Sequence, residues 1–321
     1  MNILVTGAAG FIGFSLIKEL VKNKNFNIIG IDNLDKYYSV KLKQKRVKVL
    51  KTNKNFVFKK IDITEDGLLY KFSANKKFDL IFHFAAQAGV RYVTVNPNKY
   101  LNDNILGFFN VLKIVLLLKP KKFFYASSSS VYGDTSEFPT TESIKLKPKN
   151  IYGLTKKINE EIIDLYCSNV NTKFIGLRFF TVYGEWGRPD MLLIKFMVAS
   201  LKKEIFKINN YGNHVRDFTY IGDVVSTLKK LIYKKQSAKH VIFNICSSKP
   251  IPLKLVIEKL IKLTNFRIIK KVSAQKIEVF KTFGSNKKLL KIIGKFKFYK
   301  FDEGLKNTYL WFIKNKKYLI N

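Results

Sequence analysis

The sequence predicts an α/β fold: a doubly wound parallel sheet with a smaller C-terminal lobe for substrate. Two observations carry this. Short apolar, β-rich runs alternate with longer helical patterns through the first half of the chain, as in successive strand–helix–strand units. After Phe180 that alternation weakens, and glycine- and proline-rich stretches appear at Gly184 to Pro189, around Asn209 to Asn213 and near Ser248 to Pro252.

Taken in order, strands are expected at Asn2 to Thr6, Asn27 to Ile31, Phe56 to Ile61, Leu80 to Phe84, Lys122 to Ser127 and Phe174 to Arg178. Helices are expected near 11 to 23, 98 to 118 and 151 to 168, where apolar residues recur at three- and four-residue spacing. Residues 1–180 then form the nucleotide-binding part, with the chain returning to it around 218–245. The remainder of 181–321 covers the substrate.

Composition narrows the function. Of 321 residues 47% are apolar, enough for a substantial core, so disorder is not the default. The formal charge of +36 raises nucleic acid or an anionic surface as a partner. Yet lysines spread evenly among Asn, Ile and Phe read as coding bias, and no nucleic-acid partner is expected. Against that lysine background Arg46, Arg91, Arg178, Arg188, Arg216 and Arg267 are informative, because a guanidinium grips phosphate or carboxylate with a planar fork. Cys167 and Cys246 have no metal-ligand spacing around them, so neither a disulfide framework nor a metal is expected, and a reducing cytoplasm fits. The chain opens on a strand rather than a secretory signal. Its most apolar stretch, Ile105 to Leu118, is too short to span a bilayer, so no membrane insertion is expected.

The chemistry starts at Gly7-Ala8-Ala9-Gly10-Phe11-Ile12-Gly13, which follows one strand and opens a helix. Glycines there let the backbone approach a pyrophosphate held on the helix N-terminus. Asp32, with Asn33 beside it, ends the next strand. A carboxylate in that place accepts from ribose hydroxyls and disfavours a 2′-phosphate, pointing to NAD. Together these features make the sheet Rossmann-type.

Tyr152 and Lys156 lie at i and i+4, on one helical face, where an ammonium is expected to lower the phenol pKa. Ser127 to Ser130 stand where the fifth strand ends, facing the crevice in which ligands of such sheets bind.

In this order, Gly7 to Gly13, Asp32, Asp62-Ile63, Phe84-Ala85-Ala86, Asn104, Ser128, Tyr152 and Lys156 resemble the extended short-chain dehydrogenase/reductases, the NAD-dependent epimerase/dehydratase family. The resemblance implies NAD as cofactor, Tyr152 as acid/base, Lys156 on the nicotinamide ribose, and Ser128 on the reacting hydroxyl. Asp62 and Ile63 would border the adenine. It also implies a homodimer through helices 98–118 and 151–168.

Within the family the pattern is similar to UDP-glucuronate 4-epimerases. They share Ala85 to Tyr92, including Arg91; Arg178 to Gly184, including Thr181; Trp186 to Met191, including Arg188; and Arg216 to Ile221. By that likeness the substrate is a UDP-sugar, with Ser129, Ser130 and Thr181 meeting a sugar carboxylate, and Arg188 and Arg216 meeting the carboxylate or the diphosphate. The alternatives are a UDP-glucose or UDP-N-acetylglucosamine 4-epimerase, a UDP-glucuronate decarboxylase, and a non-catalytic NAD-binding sensor. Glu185, Gly222, Cys246, Ile277-Glu278-Val279 and Gly284-Ser285 depart from the family pattern.

Overall fold

The structure is a computed structural model that describes residues 1–92, 95–275 and 277–319. Its main sheet has seven parallel strands: β1 Asn2–Thr6, β2 Asn27–Asp32, β3 Phe56–Lys60, β4 Leu80–His83, β5 Lys122–Ser128, β6 Lys173–Phe179 and, later in the chain, β10 His240–Ile245. The spatial order β10-β6-β5-β4-β1-β2-β3 places β4 at the centre, and the winding order reverses between β1 and β4. At such a reversal the crevice outside the strand C-termini accepts a ligand.

Period-two alternation sends strand side chains to two cores. Ile3 and Val5 of β1 enter one, together with α1 Phe11–Leu20 and α8 Ile221–Tyr233. Leu4 enters the other, with α3 Asp66–Ser73, α5 Gly107–Leu118 and α6 Ile151–Tyr166. The first core continues without a break into the lobe, taking in Leu193 and Phe196 of α7 Leu192–Lys202 and Trp311 of α11 Phe301–Asn315. The lobe also contains α9 Leu253–Thr264 and α10 Lys287–Ile293.

All six expected strands are present. Beyond the expected helices the structure adds α7 to α11 in the later half and two in the first half: α2 Val40–Leu50, so rich in lysine that it reads as solvated although Leu42, Val47 and Leu50 are buried, and the short α3. The expected return to the sheet over 218–245 splits in two. Strand β9 Val215–Tyr220 pairs instead with β7 Thr181–Tyr183 and β11 Pro250–Pro252 in a small sheet, while β10 alone joins β6. Strands β8 Phe206–Ile208 and β12 Ile269–Lys271 make a further pair.

The apolar helix begins earlier than Ile105. Asn98–Leu118 counts 21 residues, long and apolar enough to cross a membrane by length and composition. Here it comprises α4 Asn98–Leu101, a π-helical turn at Asn102–Leu106 and α5, and it lays Phe108, Val111, Leu112 and Val115 against the sheet.

Candidate active site

The glycine-rich turn is built by steric need. Gly7 has φ +70°, and a Cβ on it would stand 2.6 Å from the Ala85 nitrogen; a Cβ on Gly13 would stand 2.2 Å from the Gly7 carbonyl oxygen. Among the described residues no side chain caps α1, so its first N–H groups stay available to an anion. The cradle therefore fits a dinucleotide. Asp32 closes it: Oδ2 accepts from Ala9 N–H at 3.0 Å and Oδ1 from Leu34 N–H at 2.8 Å. Burial raises its pKa, against the pull of Lys43, those two amides and Arg46.

Gly7, Gly10, Phe11, Ile12, Gly13, Asp32, Asn33, Asp62, Ile63, Phe84, Ala85 and Ala86 line one cavity, which reaches Ser128, Tyr152 and Lys156. Asn33 Nδ2 donates to Asp62 Oδ2 at 2.8 Å, fixing the wall between β2 and β3. Asn104 lies behind the wall. Its Oδ1 accepts from Gln87 N–H at 2.8 Å, and its Nδ2 donates to Gln87 O and Thr155 Oγ1, both at 3.1 Å, tying the segment after β4 to α6.

A second cavity, about 720 Å³, opens on the other side of Tyr152, large enough for a nucleotide-sized ligand. Its walls bring together Arg91, Ser128, Ser129, Ser130, Tyr152, Thr181, Arg188 and Arg216. The arginines are already engaged. Arg188 grips Asp190 through Nε–Oδ1 at 2.9 Å and Nη2–Oδ2 at 2.5 Å. Arg91 pairs with Glu278, and Arg216 donates to the carbonyls of Val215, Val279 and Phe280.

Asn150 starts α6 by accepting from the Gly153 N–H at 2.8 Å, which sets Tyr152 on the first turn facing the end of β5. The Ser128 hydroxyl lies beside the phenol of Tyr152 in the same cavity wall. Contrary to the expected lowering by Lys156, burial raises the Tyr152 pKa, offset only in part by Ser128 and Arg188. Burial pulls Lys156 down to about 8, while Glu160 opposes it. Proximity in sequence does not make the ammonium dominate a dry site.

Glu160, one turn after Lys156, escaped the sequence reading although i+4 spacing places it on the same face. It accepts from Ser127 Oγ at 2.5 Å and pairs with Arg178 at 2.9 and 2.7 Å, with both side chains buried. Arg178 also donates to Tyr132 Oη, which donates to Asn244 Oδ1 of β10 at 2.7 Å. Tyr37, likewise unforeseen, and Met191, the end of the Trp186-to-Met191 motif, border both cavities.

Residues 3–246 match the model of the NAD dependent epimerase/dehydratase family. The chain is 42% identical to an uncharacterized protein of Methanocaldococcus jannaschii over 99% of its own length and 98% of that protein's. It is 38% identical to UDP-glucuronate 4-epimerase 3 of Arabidopsis thaliana, covering 84% and 67% of the two chains. The solved UDP-glucuronic acid 4-epimerase of Bacillus cereus, in complex with UDP-glucuronic acid and NAD, superposes with a TM-score of 0.88 at 29% identity, over 98% of this chain and 99% of that one.

Proposed function

The chain belongs to the NAD-dependent epimerase/dehydratase family and is an NAD-dependent nucleotide-sugar epimerase; from that premise we propose that it interconverts UDP-glucuronate and UDP-galacturonate. The observation that carries this reading is the wall of hydroxyls, Ser129, Ser130 and Thr181, sharing one cavity with Tyr152. Three neutral donors suit a sugar carboxylate, whereas a carboxyl group in place of Ser129 or Ser130 would repel it. Ser129 and Ser130 also stand where elimination of water would need a carboxyl acid/base pair directly after Ser128.

When bound, NAD supplies reversible hydride transfer at C4 of the sugar. Tyr152 would act in the loaded site as the phenolate, which takes the O4 proton on its oxygen and later returns it, so no net proton is consumed. Ser128 holds O4 by hydrogen bond, Lys156 places a positive charge beside the phenol, and return of hydride to the opposite face inverts C4. Arg188, between the two cavities, meets the diphosphate or the carboxylate. The glycine-turn cavity takes NAD, with Asp32 on the adenosine ribose and Asn104 supporting its wall from behind. Residues 1–180 supply most of that site and 181–321 most of the other. A homodimer through α5 and α6 accords with exposed Leu106, Leu117, Leu154 and Leu165 on those helices and the turn before them, and light scattering tests it.

Incubation with NAD and UDP-glucuronate, followed by separation of nucleotide sugars, should yield UDP-galacturonate, at a rate lowered at least about a thousandfold in Tyr152→Phe. Turnover of UDP-glucose with UDP-glucuronate untouched would overturn the uronate reading. Release of CO₂ would move the chain to decarboxylation.

A further inference from the structure

Tyr37 lies in the segment that follows β2, and Asp190 in the lobe segment between β7 and α7. The Tyr37 phenol donates to Asp190 Oδ2 at 3.0 Å across a sequence separation of 153 residues. The same carboxylate holds both arms of the Arg188 fork, and the guanidinium carbon lies 5.8 Å from the centre of the Tyr37 ring. Tyr92 packs edge-on against that ring at 4.8 Å. Gly89, at φ +85°, passes close beneath: a Cβ there would stand 2.8 Å from the Tyr37 oxygen and 3.3 Å from Arg188 Nη2. Three distant stretches of chain thus close on one point. Because Tyr37 and Arg188 line both cavities, that point is the partition between them.

The bond is charge-assisted, which makes it strong for its length. It is also reachable by water, since the Asp190 side chain is 30% exposed, so it can open without disturbing the core. Burial and the neighbouring carboxylate push the Tyr37 phenol up to about 12, keeping it a donor at neutral pH. A fastening with these properties controls escape more than entry.

We propose that Tyr37, Asp190 and Arg188 form a clasp that retains the dinucleotide, and that cofactor exchange requires the Tyr37–Asp190 bond to open. This rests on reading the glycine-turn cavity as the NAD site and is independent of which sugar is turned over.

The test uses the full chain loaded with NADH and chased with excess NAD, following loss of bound-NADH fluorescence by stopped flow, with no sugar present. Tyr37→Phe should release NADH about tenfold faster, as befits loss of one hydrogen bond to a charged acceptor. Asp190→Ala should also speed release, and adding Tyr37→Phe to it should change the rate by less than about twofold, since the bond is already gone. A Tyr37→Phe rate within about twofold of the parent's, or an equal acceleration in both backgrounds, would overturn the clasp. Failure of the parent chain to bind NADH would instead sink the reading of the cavity. Failure to turn over UDP-glucuronate, with release behaving as described, would leave the clasp standing.

Discussion

The two cavities beside Tyr152 are built from different materials. The dinucleotide side is made of backbone: a turn whose Gly7 and Gly13 admit no Cβ, an uncapped helix N-terminus and strand ends. The sugar side is made of side chains pinned in pairs, Arg188 to Asp190 and Arg91 to Glu278, with Arg216 spread over three carbonyls. A backbone site tolerates drift in composition, because almost any residue supplies an N–H. A side-chain site does not, and in a chain where lysine has spread almost everywhere these positions keep guanidinium forks. Arg46 follows the same rule at the seam, donating to Ala9 O of the glycine turn and to Trp186 O of the lobe.

The largest effect that could break this contrast lies on the backbone side. Gly13→Val should lower NADH affinity by at least about a hundredfold in a fluorescence titration, because no rotamer relieves a collision of Cβ with the Gly7 carbonyl. Near-normal binding would mean that the turn is not the cradle.

Next comes the buried pair. Glu160→Gln leaves Arg178 charged in a dry site and should cost about 3 kcal/mol or more by urea unfolding. A loss under about 1 kcal/mol would show that water reaches the pair.

On the sugar side Ser129→Ala and Thr181→Ala should each raise KM for UDP-glucuronate about tenfold while leaving KM for a neutral UDP-hexose in place. Equal effects on both would remove the hydroxyl wall as the carboxylate reader.

The pH response of Lys156 sharpens the comparison further. As pH rises through about 8 the ammonium is lost, so NADH affinity should fall by up to about tenfold per unit, and Lys156→Met should lack that limb. Stability moves the other way. Between pH 8 and about 10.5 the unfolded chain keeps a proton that the folded chain has released, so this group makes unfolding costlier by up to about 1.4 kcal/mol per unit, a rise absent in Lys156→Met. The smallest effect belongs to the rim. Lys149→Ala breaks an exposed pair with Asp134 and should change stability by less than about 0.5 kcal/mol.

The same division decides what sequence could reveal. The six strands, the glycine turn and the i/i+4 pair of Tyr152 and Lys156 are local patterns, and sterics or periodicity expose them. Tyr37 and Asp190 are neighbours only in space, so their pairing has no local signal, whereas Glu160 was open to the spacing argument that found Lys156. Two departures from the family pattern explain each other only in three dimensions. A Cβ on Gly284 would meet Cys246 Sγ at 2.8 Å and Phe180 at 2.4 Å, so the Cys246 sulfur occupies room that any larger residue at 284 would need. Strand β9 misled for a related reason: its apolar content serves the small sheet rather than the large one.

The chain of bonds from Ser127 through Glu160, Arg178 and Tyr132 to Asn244 has a consequence for biosynthesis. The carboxylate that steadies the catalytic helix is anchored, at its far end, to a strand translated some eighty residues later. The glycine turn and the catalytic helix leave the ribosome first, but the proton-handling end is not locked until β10 has emerged and docked.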